Sequence, residues 1–276
     1  MGTMLPPVTC ANLLKPIEEI VGCGPLLWPD GQFVNGSPDT PVRGALVTWM
    51  AEATALEKAA ASGCNVVLCH EAPFFEEKHE LPPYRWLNAA NDVTELPWHP
   101  NRRRRELIQR YKLTLVQCHY GLDRFPIYDA FIQALGLTTA VHEQGWESIY
   151  QLPQMLSVAQ LARAIKRRLG IQGTVRVVGD LRRRVRKIAS LWGGLGLSGN
   201  IYWARRAITH GAEAAIAGEM DEAFIKFAAE AGLPVIETSH QLSEEIGLQR
   251  YAAVLQGRYP KLKVATFFTG RPYRTI

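Results

Sequence analysis

The sequence predicts an α/β fold made of two similar α/β domains that arise by internal duplication. Three observations predict it. Short apolar runs alternate with helical patterns along the 276-residue chain, as sheets built from parallel strands require. One pattern occurs twice: residues 113–123 (LTLVQCHYGLD) and 233–244 (LPVIETSHQLSE) are apolar runs that lead to a His, with a carboxylate four positions later. A second pair, Gly63 to Glu71 and Gly211 to Glu219, sets a Glu eight residues after a Gly, at the end of an apolar run. A pattern repeated in order along a chain is the mark of a duplicated unit.

The elements follow in order. Residues 11–24 carry a helical pattern with Asn12 as candidate cap and Gly22 and Gly24 at its end. Residues 29–41, rich in Pro, Gly, Asn and Asp, read as loop and turn. A strand at 44–49 precedes an Ala-rich helix at 52–62, closed by Gly63. The run 65–69 is too short for a helix, and its continuous apolar character fits a parallel strand covered on both faces. It ends at His70-Glu71. Residues 72–100, with Phe74, Phe75, Tyr84, Trp86 and Trp98, read as an irregular substrate-facing wall or lid.

A basic helix at 101–111 leads into the strand 113–118, and a helix at 127–137 follows. The next stretch is polar and weakly patterned. Ser157 then caps a helix at 157–169 that stops at Gly170. Beyond a strand at 174–178 and an Arg-rich turn, the unit begins again: strand 187–192, glycine loop 193–199, helix 200–210, strand 212–217, helix 221–231 and strand 235–239. A helix at 243–256 and a strand at 262–268 complete the chain.

Bulk properties narrow the class. Hydrophobic content of 47% and charged content of 21% are those of a soluble globular chain. No apolar run approaches the ~18 residues that a membrane span needs. The N-terminus has no basic segment followed by an apolar one, so a cytoplasmic protein with no membrane partner is expected. Five cysteines without a CxxC pair read as reduced, mostly buried thiols, although Cys69 and Cys118 each precede a His and so remain candidate ligands. The net charge of +5 comes largely from runs at 102–105 and 182–187. These are either solvated basic surfaces or a nucleic-acid contact; neither run carries the interleaved aromatics that stack bases.

The chemistry concentrates at strand ends, where α/β folds bind ligands. There the chain places His70-Glu71, His119 with Asp123, and His240 with Glu244. If the turn after each strand is helical, residues i and i+4 share a face and can close on one ion. Mixed imidazole and carboxylate donors suit zinc, manganese or iron better than calcium or magnesium. The glycine loop 193–199 either cradles a phosphate ahead of a helix or makes a tight turn for close packing; it fits neither Walker nor dinucleotide spacing. Arg124 either neutralises an anionic substrate or pairs with an acid.

In these motifs the sequence resembles the Nif-three-like (Ngg-one-interacting factor three-like) dinuclear metal-centre family, often described as GTP cyclohydrolase 1 type 2. The resemblance covers most of the chain. It is carried by residues 63–71 (GCNVVLCHE), 119–123 (HYGLD), 192–196 (WGGLG), 217–220 (AGEM) and 239–248 (SHQLSEEIGL). It implies two similar α/β domains, 1–125 with 233–276 as the metal-binding domain and 126–232 as the second, and a toroidal homohexamer. It also implies two divalent ions (Zn, Mn or Fe) held by His70, Glu71, Asp123, His240 and Glu244, with His119 beside them as proton carrier or orienting group.

Three positions depart from the family pattern. Glu71 stands where a second His is usual, Met50 where many relatives have Asp, and Asp221 and Glu222 where basic or His residues follow Gly-Glu-Met. A carboxylate at 71 keeps the site functional with a harder, more oxygen-rich donor set, whereas the substrate does not transfer. The expected function is a metal-dependent hydrolase acting on a small molecule such as a nucleotide, phosphoester or cyclic amide. The alternative is a non-catalytic hexamer that handles metal or contacts nucleic acid or a protein partner. In both readings Glu219, the repeat partner of Glu71, is expected to be structural.

Overall fold

The computed structural model describes residues 7–22, 32–75, 97–270 and 273. The chain forms two compact units, residues 1–126 with 248–270 and residues 127–247 with 271–276. The first opens with α1 (Cys10–Val21), β1 (Gln32–Asn35), β2 (Gly44–Thr48), α2 (Ala53–Ala61) and β3 (Val66–Cys69), followed by α3 (Pro100–Tyr111), β4 (Thr114–Gln117) and the short α4 (Tyr120–Leu122). The second contains α5 (Tyr128–Leu135), β5 (Ala140–Gln144), β6 (Glu147–Ser157), α6 (Val158–Arg168), β7 (Val177–Val178), β8 (Arg184–Leu191), α7 (Ile201–Thr209), β9 (Ala214–Ala217), α8 (Glu222–Glu230) and β10 (Val235–Glu237). The chain then enters α9 (His240–Arg258) and ends with β11 (Lys263–Thr266) in the first sheet.

The first sheet has the order β1-β4-β3-β2-β11, with β1 antiparallel to β4 and the other pairs parallel. Strands β2, β3 and β4 are buried at every position, which is why their sequences are continuous apolar runs and not alternating ones. Leu56 and Ala59 of α2 and Leu107 of α3 pack with Leu46, Val67 and Leu115 of the strands in one core. Small Ala55 and Ala59 let α2 lie close. The second sheet has the order β5-β6-β8-β9-β10-β7. Its β8, β9 and β10 are mutually parallel, and β7 is antiparallel to β10. Phe224 of α8 fills its core against Ala215, Leu191 and Val235.

Several boundaries differ from the sequence expectation, each for a local reason. Thr9, not Asn12, stands at the N-cap of α1; Asn12 reaches back so that its Oδ1 accepts the Thr9 N–H at 2.9 Å. The expected loop at 29–41 contains β1, an edge strand with little buried surface. The weakly patterned stretch after α5 is the β5–β6 hairpin, whose β5 is almost wholly exposed and so carries no apolar alternation. The Arg-rich turn is the start of β8, where Arg184 and Arg186 bond the Met155 and Leu152 carbonyls of β6. Residues 233–247 lie in the second unit, because β10 is laddered between β9 and β7. Of the wall expected at 72–100, residues 76–96 lie outside the described residues, as does Cys23.

Candidate metal centre

In the first unit, parallel strands deliver the polar residues. β3 ends at His70 and Glu71, whose backbone N–H groups both bond the Trp49 carbonyl, at 3.0 and 2.8 Å. β4 ends one residue before Cys118 and His119. The chain turns helical at once, with the Asp123 N–H on the His119 carbonyl at 3.0 Å, so His119 and Asp123 share a face as an i, i+4 pair. Asp123 faces two imidazoles. Its Oδ2 lies 3.4 Å from His119 Nδ1 and its Oδ1 lies 3.5 Å from His70 Nε2. The two rings stack 4.3 Å apart at 8°. Glu71 Oε1 lies 3.7 Å from the other nitrogen of His119.

Burial tunes these groups. His70 is fully enclosed and Asp123 nearly so. Desolvation pulls the His119 pKa down, but the Glu71 hydrogen bond and the charges of Asp123 and Glu71 outweigh it, and the net shift is upward. The neighbouring thiol is inert: burial pushes Cys69 up to about 12, and its Sγ rests 3.7 Å from the Val116 carbonyl. Cys69 therefore packs as a neutral thiol. The four cysteines among the described residues are all buried, and none is in a disulfide.

In the second unit, β9 ends at Gly218-Glu219 and β10 leads into α9. This helix starts at His240, three residues earlier than the sequence pattern suggests. His240 and Glu244 therefore occupy successive turns, with Nε2 and Oε1 3.2 Å apart. Glu219, expected to be structural, lies against the other nitrogen of this imidazole, its Oε2 2.9 Å from His240 Nδ1. The pairing of β9 with β10 creates this contact, and the Gly-Glu at the strand end was its only sequence signal.

The glycine loop serves packing. Gly193 donates its N–H to Ser243 Oγ at 2.9 Å, and that hydroxyl donates to the His240 carbonyl at 2.7 Å. The Leu195 and Leu197 amides bond the Trp192 and Gly194 carbonyls, so these donors are taken up within the loop. Gly193 has φ +55°, and a Cβ there would run into the Glu244 carboxylate.

The sequence model of the Duf34/NIF3 (NGG1p interacting factor 3) family matches residues 29–272. The chain belongs to this family. Solved structures agree in fold. A Bacillus cereus protein related to NIF3 superposes with a TM-score of 0.77 at 14% identity, covering 99% of this chain and 100% of that one. Staphylococcus aureus protein SA1388 gives 0.76 at 18% identity, with 98% and 100% covered. Reduced HcgD from Methanocaldococcus jannaschii gives 0.70 at 16% identity, with 95% and 99% covered. Comparison with curated protein sequences returned no match.

The donors of this Duf34/NIF3 chain fit a metal ion. His70, His119 and Asp123 each turn one ligand atom to a common space, all within 4.8 Å of one another. Separations of 3.4 and 3.5 Å from Asp123 to the two rings are long for hydrogen bonds. They match two ligands of one ion bound at about 2.0–2.2 Å. His119, expected beside the donors, lies in this group. The departures from the family pattern have other tasks. Met50 Sδ accepts from buried Arg104 at 3.6 Å, and Asp221 caps α8 by accepting the Phe224 N–H at 2.8 Å.

Members of both arginine runs make contacts within the protein, although Arg182 is 94% exposed. Arg104 is buried and donates to the Pro73 carbonyl, Arg103 pairs with Glu57, and Arg183 bonds the Gly232 carbonyl. Among the described residues no helix is long and apolar enough to cross a membrane.

Proposed function

We propose that this Duf34/NIF3 protein is a dinuclear metal-binding protein that works as a metal-dependent hydrolase on a small phosphoester, nucleotide or cyclic amide. The reading gives His70, Glu71 and Asp123 of the first unit, and His240 and Glu244 of the second, to two divalent ions. The observation that carries it is the group of His70, His119 and Asp123 at the carboxyl ends of adjacent parallel strands, with donor atoms at ligand spacing. The repeated strand order of the two sheets supports an internal duplication, and the family supports assembly as a ring-shaped homohexamer.

When bound, divalent ions lower the pKa of water and polarise an ester or amide centre. The residues do the rest. Glu219 accepts from His240 Nδ1, fixing the tautomer whose unprotonated Nε2, beside Glu244, can ligate. Asp123 aligns the stacked rings of His70 and His119. His119, the most exposed of the first unit's group, exchanges a proton with substrate through its Nε2, which Glu71 faces. The arginine contacts lean toward the hydrolase over a nucleic-acid platform, since Arg103, Arg104 and Arg183 already have partners within the chain.

The test is elemental analysis of protein purified without chelator, wild type against the double variant H240A/E244A. The dinuclear centre should be lost in the variant; retention of the wild-type metal content would sink the assignment. Turnover of at least one member of a phosphoester, nucleotide and cyclic-amide panel by the zinc- or manganese-loaded wild type is expected, and silence across the panel would remove the hydrolase from the reading.

A further inference from the structure

A second cluster of donors lies wholly within the second unit and shares no residue with the centre above. His142 comes from β5, Glu147 from the first position of β6, and His210 from the residue after α7. One ligand atom from each falls within 4.8 Å of the others. Glu147 is buried, its carboxylate only 6% exposed. Its Oε1 meets the Arg206 guanidinium, while its Oε2 faces both rings, 3.4 Å from His142 Nε2 and 3.6 Å from His210 Nε2. The imidazoles stack 4.0 Å apart at 14°.

Charge and distance separate two explanations of this arrangement. Arg206 already balances the single charge of Glu147, so no charge demand calls for two histidines. Protonating either would place a second cation beside the guanidinium. The Nε2 to Oε2 separations exceed the 2.7–3.2 Å of strong hydrogen bonds. They come close to the edge of a tetrahedron with metal–ligand distances of about 2.0–2.1 Å, which is about 3.3–3.4 Å.

We propose that His142, Glu147 and His210 form a mononuclear site for a divalent transition ion, zinc by its donors, separate from the dinuclear centre. Two imidazoles and one carboxylate leave a fourth position, and half-open His210 turns it toward solvent, as in zinc sites that retain a water. Arg206 is the outer partner that fixes the carboxylate. The Ser190 hydroxyl, buried in the same pocket as Trp146 and Trp203, has no hydrogen-bond partner among the described residues and can take up that water. The ion would join the β5–β6 hairpin to the end of α7.

Zinc is titrated into chelator-treated full-length protein, comparing wild type with H142A/H210A and with H240A/E244A by bound equivalents. H142A/H210A should bind one equivalent fewer than wild type, and H240A/E244A should keep that equivalent. Equal binding by wild type and H142A/H210A overturns the site, whatever H240A/E244A does, so failure here is distinct from failure of the dinuclear reading. Imidazole NMR on the wild type, assigned with the single variants H142A and H210A, guards against a folding defect. The His142 and His210 resonances should move together on adding zinc; unchanged resonances at saturation overturn the site as well.

Discussion

The two units repeat one four-strand plan and use it differently. The order β1-β4-β3-β2 in the first, antiparallel then parallel twice, is matched by β7-β10-β9-β8 in the second. Glu71 after β3 therefore corresponds to Glu219 after β9, and the pair His119–Asp123 to His240–Glu244. In each unit that Glu faces the His of the neighbouring strand end, at 3.7 Å for Glu71 and 2.9 Å for Glu219. The rings are turned over: His119 gives Nδ1 to its i+4 carboxylate, whereas His240 gives Nε2. His70 has no counterpart, because Gly218 occupies its place. A Cβ on Gly218 would strike the Gly193 carbonyl and amide. The difference teaches that the packing of Gly193 leaves no room for an imidazole at that strand end.

The comparison breaks most visibly if the two cores are not separate. Leu115→Ala in the first core and Phe224→Ala in the second should each cost about 2–5 kcal/mol. All five cysteines lie at or before residue 118, so thiol labelling during urea unfolding reports the first unit alone. Buried Cys10 and Cys69, raised to about 11 and about 12, stay protonated until that unit opens. L115A should bring labelling to lower urea while F224A leaves its midpoint unchanged. An equal shift by both variants would mean one cooperative core.

A smaller effect sharpens the pairing of Glu219 with His240. Glu219→Gln should weaken metal binding about 10–100-fold without changing its stoichiometry, as loss of an outer partner does. A Kd equal to wild type by competition with a chromogenic chelator would return Glu219 to a structural role.

The smallest concerns Asp221. Its pKa is lowered by the Ser198 side-chain hydrogen bond and by the N–H groups of α8. Asp221→Ala should lose about 1 kcal/mol with the helix cap. Since the folded pKa is depressed, the contribution is fully present above the unfolded aspartate value and fades as pH falls through the folded one. Thermal melts of the two proteins should thus differ at neutral pH and converge in acid; a difference that persists in acid would assign the loss to packing.

The sequence was most readable where a local rule governs. β2, β3 and β4 announced themselves as continuous apolar runs because both faces are covered. The i, i+4 spacing of His119–Asp123 and His240–Glu244 translated directly into shared helical faces. What stayed hidden depends on long-range partners. β5 lies exposed and has no periodicity of its own. Arg104 belongs to a basic run but is buried through the Pro73 carbonyl and the Phe75 ring, 4.3 Å below it. Glu219 gains its role only from the register of β9 against β10. His142 and His210 meet across 68 positions of sequence, and no spacing rule joins them.

Gly247 carries a consequence for reading mutational tolerance. It sits inside α9, where glycine is a poor helix former, because a Cβ there would strike the Ile127 backbone. Gly193, Gly196 and Gly218 are equally confined by neighbouring atoms. A saturation scan of this protein should find these four positions as intolerant as the histidines, although none of their side chains can bind or transfer anything. A functional footprint drawn from intolerance alone would be larger than the chemistry, and its surplus would be the outline of four missing methyl groups.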